Sequence, residues 1–543
     1  MATLTADIAC ERFHELRSAK APWEQKMREV AEHIRPLRLE MNAVYKPETM
    51  PPQQNPYITS STAHYALDTY VGNLYTYLSN EANEWFSLET YDADLNRWGR
   101  VKAWLAAVSR IVLNSYGPAM CGFYSQVPEL YADMAGLGTS GFNSEWMPNR
   151  QEIFDICYSP FDLYYDLDNY YRVDTVYRPF WWSKRQILRQ WPKAADDAGK
   201  MTRLKNAKDG EKFMVLHCLT ANDEYTDGQI GPNGFPYSDL YFMLDEKHEL
   251  QRGGRRYFFQ TPRLAGNGPY GYGLGQRALP DIRTLNAMDR SMLENAEMIN
   301  HPPPLMPDRN ALQLTRPQPR KPIYGGMSMG GRPMVQYLET SGRISTTHEM
   351  MQARDEMVRE GFFSSLLQLA SRTGLAAVEF LSRDEEKMRR LGPLLVRQQR
   401  EFLSPSVSQR FLMLWEAGQL PPPPPELAGR DLKIKYVSPM AHAQKSATAA
   451  ASVRLVDSTI ALAQIKPGAV DFIDEEDVIR SYQEGFGAPA TNVRGADDVA
   501  AMRAQRQQAE QMQQALAMGQ QGADIANKLG IQAVPRDGGK KAA

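Results

Sequence analysis

What this 543-residue sequence lacks narrows it first. Its four cysteines, Cys10, Cys121, Cys157 and Cys218, lie far apart and form no CxxC pair. That argues against a disulfide framework or a zinc site and fits isolated thiols in a reducing cytosol. No stretch approaches the length of uninterrupted apolar residues that a membrane span needs, so no span is expected. Residues Met1 to Asp7 have no basic flank and no apolar core, so no signal peptide is expected, and the protein should be made in a cytoplasm and stay soluble. No GxxxxGK followed by Ser or Thr occurs, which excludes a P-loop packaging ATPase. The eight histidines are scattered and never fall as HxxxH. Charge of one sign is missing too. With 62 Lys and Arg against 64 Asp and Glu, the formal net charge is -2. A tight sequence-independent DNA binder needs a cation surplus, so any nucleic-acid partner is one that must not be held firmly.

What is present reads as a multidomain α+β protein. Apolar residues make up 43%, enough for real cores, and the length exceeds what one core usually organises. Pro22 marks a helix start, with Trp23, Met27, Val30 and Ile34 at helical spacing and Pro36 as the stop. After a Pro- and Asn-rich loop from Pro47 to Pro56, Thr59 or Ser60 is positioned to cap a second helix. Its stripe is Ala63, Leu67, Val71, Leu74 and Leu78, and Asn83 to Leu88 ends the unit. Tyr158–Tyr165, Tyr177–Trp182 and Phe213–Leu219 read as strands.

Gly266 to Gly275 reads as a flexible loop. A strong helix from near Leu279 or Pro280 follows, striped by Ile282, Leu285, Met288, Met292, Ala296 and Ile299 and ended at His301 by Pro302–Pro304. Short strand candidates at Ile323–Tyr324 and Met334–Leu338 precede a charged helix over Thr346–Phe363. Beyond a polar break at Ser371–Gly374, a long helical region reaches Gly418, interrupted at Gly392–Pro393 and Ser404–Pro405. Pro421 to Pro425 form a stiff connector, Leu432–Val437 alternates as a strand, and the chain is helical again from Ala441. The last helix, 496–529, repeats Met502, Ala509, Leu516 and Ala523 every seven residues and is expected to pack on a neighbour.

Three patterns mimic enzyme sites and fail on context. Gly266-x-Gly268-x-x-Gly271 matches a dinucleotide fingerprint, but Thr261-Pro262-Arg263 interrupts the approach and Pro269 sits inside it. Gly326-Met327-Ser328-Met329-Gly330 matches a hydrolase elbow, yet more glycines and Pro333 replace the required strand and helix, and nothing places His348 or His442 beside Ser328. A serine hydrolase built around Ser328 stays only as an unlikely enzyme alternative. Asp471 to Asp477 is better explained as a helix start capped by Asp474, with Asp477 three residues on, than as a metal cluster. No catalysis, cofactor or metal is expected.

Several phrases, in order, resemble the head-to-tail connector (portal) family of short-tailed double-stranded DNA bacteriophages. They begin with Arg17-Ser18, Pro22-Trp23-Glu24 and Ile34-Arg35-Pro36, then Ser61-Thr62-Ala63 and Trp85-Phe86-Ser87-Leu88. Pro262-Arg263, Tyr270-Gly271-x-Gly273, Ala278-Leu279-Pro280-Asp281-Ile282 and Leu285-Asn286 follow. Later come Ala377-Val378-Glu379 with Arg383 and Glu386, Leu391-Gly392-Pro393, Glu401-Phe402-Leu403 with Pro405, Gly418-x-Leu420-Pro421, Tyr436-Val437-Ser438-Pro439 and Asp471-x-Ile473-Asp474. The resemblance covers residues 10 to about 515. One departure is Thr373-Gly374-Leu375-Ala376-Ala377 before Val378-Glu379, where the family has a Thr-Ala-Thr-Glu-Val-like phrase.

The resemblance implies a phage portal fold of wing, helical stem, clip and helical crown in a twelve-subunit ring at a capsid vertex. Residues 1–275 would be the wing, 276–300 and 346–365 the stem helices, 301–345 the clip and 366–375 the channel loop. Residues 376–440 would return through the wing, 441–530 would form the crown, and 531–543 a disordered tail. Implied partners are further copies of the chain, double-stranded DNA in the channel, the packaging terminase, tail adaptor or neck proteins, and major capsid and scaffolding proteins, with no membrane. Candidates facing DNA or a neighbouring subunit are Arg372, Arg283, Arg290, Arg354 and Arg359, an inter-subunit ion pair being the commoner use of any one. Candidates on the clip are Arg316, Arg320, Lys321, Tyr324 and Arg332. The structural alternative is a ring-forming neck or tail adaptor, which is usually smaller.

Overall fold

The computed structural model describes residues 5–39, 58–92, 94–118, 121–147, 151–192, 202–229, 231–302, 304–305, 330, 336–337, 344–364, 390–427, 429–437, 452–459, 478–479, 482 and 499–513. Helices and antiparallel sheets are mixed, as an α+β reading requires. Two compact units divide the chain: residues 1–83 with 115–413, and residues 84–114 with 414–543.

In the first unit, α1 (Ala6–Ile34) starts sixteen residues before Pro22, which lies inside it. Thr5 caps it by accepting the Ile8 N–H. Pro22 removes one hydrogen bond, and packing on both sides of it outweighs that loss. Before Pro22, Ala6, Ala9, Cys10, Phe13 and Leu16 join Tyr164, Tyr177, Leu216, Cys218, Leu240 and Phe242 in one core. After it, Met27, Val30 and Ile34 are buried, as their spacing requires. Lys20 is fully buried between these halves. Its Nζ donates to the carbonyls of Pro160 at 2.8 Å and Phe161 at 2.7 Å, over the Tyr164 ring. Burial brings its pKa down to about 8.

The core's other wall is a five-stranded antiparallel meander. It comprises β4 (Tyr164–Leu167), β5 (Val173–Ser183), β6 (Lys212–Ala221), β7 (Tyr237–Met243) and β8 (His248–Arg255), paired in that order. β5 and β6 contain the expected strands Tyr177–Trp182 and Phe213–Leu219. The stretch Tyr158–Tyr165 is not one strand. It holds the end of β3 (Glu152–Tyr158), a 3-10 turn at Pro160–Asp162 and the start of β4. Pro160 cannot donate to a ladder, and the Ser159 hydroxyl accepts the Phe161 N–H to form the turn instead. The hairpin of β2 (Gly141–Met147) and β3 packs with α5 (Phe123–Leu137).

The helix α8 (Leu274–Asn300) begins five residues before Leu279, with Gly273 at its N-cap and Pro280 in its second turn, where the lost hydrogen bond is outweighed by burial of Leu274, Ala278, Ile282 and Leu285. The glycines before it form a loop, as expected, and a closely packed one. A Cβ at Gly271 would lie 2.3 Å from the Gly138 carbonyl oxygen. At Gly273 and Gly275 it would lie 2.5 and 2.6 Å from that of Gly136. The segment is thus a strap lying backbone against backbone on the end of α5, which Gly138 closes at φ 95°. This contact occupies the end of α8 that a dinucleotide would need, and its approach at Gln260 and Arg263 forms only isolated bridges.

The interruptions expected at Gly392–Pro393 and Ser404–Pro405 do not break the helix. Residues 390–398 are helical through Pro393. A π-helical turn at Gln399–Leu403 runs straight into α10 (Ser404–Glu416). The widened turn stands where Pro405 has no N–H to give. Glu401 in it accepts the Arg263 N–H at 2.8 Å and pairs with Arg397 at 2.9 Å. Phe402 packs among Phe123, Tyr131 and Phe142. From α10, Arg410 reaches Asp155 of β3 at 2.5 Å with both side chains essentially sealed from solvent, while its guanidinium lies 4.0 Å from the Tyr116 ring.

In the second unit, β1 (Phe86–Thr90) pairs antiparallel with β11 (Leu432–Tyr436), so the alternation over Leu432–Val437 is a strand. Beside them α4 (Gly99–Asn114) buries Val101, Leu105, Val108 and Val112, and Ser109 accepts the Leu88 N–H at 2.9 Å. Residues 452–459 and 499–513 are helical, as expected beyond Ala441. In the latter Met502 is half-buried and Ala509 exposed, while Leu516 and Ala523 lie outside the described residues. So do the loop 47–56, Ile323–Tyr324, Ser371–Gly374 and the acidic run 471–477. Gln336–Tyr337 is a strand, within the expected Met334–Leu338. The four cysteines are free, and burial pushes the Cys157 thiol up to about 12.

Two measurements check this packing. Gly271→Ala should lower unfolding stability by about 3 kcal/mol, because the opposing atoms are backbone and cannot turn away; an unchanged urea midpoint would contradict the strap. His217 is buried on β6, its Nε2–H donating to the Asp239 carboxylate at 2.7 Å, and is stacked on Tyr241. Burial lowers its pKa from 6.5, assisted by Arg178 and Arg255, against the pull of Asp239. The unfolded chain therefore binds the proton first. Stability should be complete above pH 6.5 and fall as pH drops below it. His217→Gln should flatten that fall in denaturation midpoints taken at pH 7.5 and 5.5.

Candidate functional site

α8 and α9 (Ile344–Gly361) run antiparallel. At one end a Cβ at Gly361 would sit 3.3 Å from the Ala278 Cβ, and Val358 and Phe362 are fully buried. At the other end β9 (Pro304–Leu305) pairs antiparallel with β10 (Gln336–Tyr337), so the chain leaves α8 and returns to α9 through a hairpin closed at its base. At 27 residues α8 is about 40 Å long.

Polar contacts fix the buried end of the pair. Asn286, buried on α8, accepts the N–H groups of Thr59 at 3.0 Å and Ser60 at 2.9 Å, and donates back to Ile282. At the start of α3 (Thr62–Leu78) Ser61 holds the N-cap position without a side-chain bond. Of the two expected caps, Ser60 accepts the Thr62 N–H on its hydroxyl at 3.4 Å. Thr62 hydrogen-bonds Asp355 of α9, and Arg354 crosses to Asp281 of α8 at 2.8 Å.

Four of the proposed arginines lie in this assembly, all paired within the chain. Arg283 meets Glu29 of α1, Arg290 meets Glu294 at 3.0 Å, Arg354 meets Asp281, and Arg359 meets Asp355 at 2.8 Å. The i,i+4 spacing of Arg290–Glu294 and Asp355–Arg359 was legible in sequence. Arg283–Glu29, Arg354–Asp281 and the Asn286 clamp join distant segments and carried no local signal. Arg372, Arg316, Arg320, Lys321, Tyr324, Arg332 and Ser328 lie outside the described residues.

The apolar faces are less complete than the polar ones. Met288, Met292 and Ala296 are only half-buried and Ile299 is exposed, although all four belong to the expected buried stripe. Two helices alone cannot enclose that stripe. Leu293, Met298, Met350 and Met357 are also uncovered, Leu293 by 54% and Met350 by 53%. Among the described residues no cluster of His, Cys, Asp and Glu is arranged to hold a metal, and no helix is long and apolar enough to cross a membrane.

Residues 6–493 match the family described as bacteriophage head to tail connecting protein. The chain is 27% identical to the "Probable portal protein" of Bordetella phage BPP-1 over 545 aligned positions, covering 96% of this chain and 95% of that one. It is 28% identical to the "Portal protein" of Salmonella phage epsilon15 over 466 positions, covering 83% and 82%. The phrases that carried the resemblance hold this structure together: Arg263 and Glu401 join the strap to the π-turn, Gly271 and Gly273 lie on α5, and Asn286 holds the chain before α3. Spanning nearly the whole sequence, the match establishes that the chain belongs to the bacteriophage head-to-tail connecting protein family, structural connectors rather than enzymes.

Proposed function

We propose that twelve copies close into a ring at one capsid vertex. The ring is the channel for genome packaging and ejection and the docking site for terminase, then for the tail adaptor. The carrying observation is the α8–α9 pair, with its uncovered Leu293, Met298, Ile299, Met350 and Met357. Apolar side chains on a paired helix face find cover in a head-to-tail contact with the next copy, and such contacts close into rings. The portal names of the two relatives support the same reading.

In this assignment α8 and α9 are the stem, residues 301–345 the clip, 366–375 the channel loop and 441–530 the crown. Residues 1–275 and 376–440 supply the wing. Arg316, Arg320, Lys321, Tyr324 and Arg332 would meet terminase or adaptor, and the ring as a whole the capsid and scaffolding proteins. Assembly takes place in the host cytoplasm. Intrachain pairing of Arg283, Arg290, Arg354 and Arg359 leaves Arg372 as the preferred channel cation. One Arg per subunit becomes a circle of positive charge that touches successive phosphates weakly.

Purified protein should have a native mass of about 740 kDa, twelve times 61.5 kDa. Leu293→Glu should reduce it to smaller species, since a charge would enter the apolar contact. A wild-type monomer at micromolar concentration refutes the ring. Arg372→Glu should leave the ring intact and change the amount of nuclease-protected DNA after packaging into procapsids. Normal protected DNA removes Arg372 from the channel, and loss of rings places it at a subunit contact.

A further inference from the structure

The insert between β5 and β6, with the first residue of β6, carries a local surplus of positive charge. Residues 184–192 and 204–212 hold six cations, Lys184, Arg185, Arg189, Lys205, Lys208 and Lys212, against Asp209 and Glu211. That is a surplus of four in a chain whose total is -2. The backbone gathers them. Lys184 Nζ donates to the carbonyls of Lys205 at 2.8 Å and Ala207 at 2.9 Å, and the Arg185 N–H reaches the Asp209 carbonyl at 3.5 Å.

The helix α6 (Lys184–Gln190) is held by a capping box between Ser183 and Gln186. Its inward side chain Ile187, with Trp191 just beyond, is buried among Leu204, Phe213 and Val215. Arg185 and Arg189, one turn apart, therefore share the outward side. Both are exposed, as are Lys205 and Lys208, and none of the four forms an ion pair with a described residue. The paired arginines of α8 and α9 contrast with this.

What surrounds these cations selects the partner. The exposed neighbours are Gln186, Gln190 and Asn206 with the carboxylates Asp209 and Glu211, while the large apolar residues face inward. A protein partner would need an apolar anchor at the centre of its contact, and this surface offers none. Free cations separated by polar side chains fit a row of phosphates instead. We propose that this surface binds duplex DNA through its backbone, without reading sequence, at a place separate from α8 and α9.

Four phosphate contacts imply a log–log salt slope of about -3 to -4, roughly a 100-fold loss of affinity between 50 and 200 mM salt. The test is fluorescence anisotropy of a labelled duplex of about 30 base pairs with the full-length assembled protein. Arg185→Glu, Arg189→Glu, Lys205→Glu and Lys208→Glu combined should weaken binding at least about tenfold and flatten the slope, leaving native mass and thermal unfolding unchanged. The four Gln replacements, which keep the polar surface, should fall between. Wild-type affinity in both variants overturns the proposal. So does duplex binding that survives them but disappears in Arg290→Glu, or tighter binding of a polyglutamate peptide than of the duplex at equal ionic strength.

Discussion

The backbone-on-backbone contact between the glycine strap and the end of α5 decides where α8 can begin. Gly138 on one side and Gly271, Gly273 and Gly275 on the other leave no room for a Cβ, the last two because the Gly136 carbonyl stands in the way. With that contact in place, Asn286, Asp281 and Ala278 of α8 lie where α9 and the chain before α3 meet them. Side chains elsewhere can repack by rotating, but opposed carbonyl oxygens cannot. The α8–α9 pair is therefore placed by atoms common to every residue, with side chains locking what the backbone has set.

Charge is handled in two ways. Deep in the first unit, Arg410 with Asp155, and Arg35 and Arg38 with Asp133, bind α10 and α2 (Pro36–Leu39) to the β3 and α5 framework. Removing one member of such a pair would strand the other away from water. On the helix pair, four arginines are half-exposed and matched, each pair being worth about 0–1 kcal/mol. Their pairing neutralises the surface of α8 and α9 without holding the fold together. The near-balance of total charge is built locally here, cation by cation, which a sum over the sequence does not reveal.

Periodic segments were legible in the sequence. The stripe of α3, the strands β5, β6 and β11, and the end of α8 at His301 all follow from spacing and from proline. The errors cluster at proline and glycine. Pro22, Pro280 and Pro393 were read as boundaries, yet each lies within a helix that distant packing supports. The glycine strap looked mobile because small residues signal a loop unless the opposing chain is known. Spacing gave no reading of Lys20 or of the contacts of Asn286, because only tertiary structure supplies the carbonyls and N–H groups that meet them. Family resemblance reached further than periodicity, since its phrases include Gly271, Gly273 and Asn286.

The pairing of β1 with β11 has a consequence in time. Phe86 lies opposite Tyr436, 350 positions later in the chain. At translation speeds of about 5–20 residues per second, β1 waits on the order of 20–70 seconds for its partner to leave the ribosome. Throughout that interval its N–H and C=O groups form an open edge able to accept any strand nearby. Lys433 and Lys435 are on the late strand and Glu89 on the early one, so the edge awaiting its match carries a negative charge that only the finished pair neutralises. Slow synthesis, crowding by sister chains on one message, or a holding chaperone would act on the yield of this protein at that strand before any assembly begins.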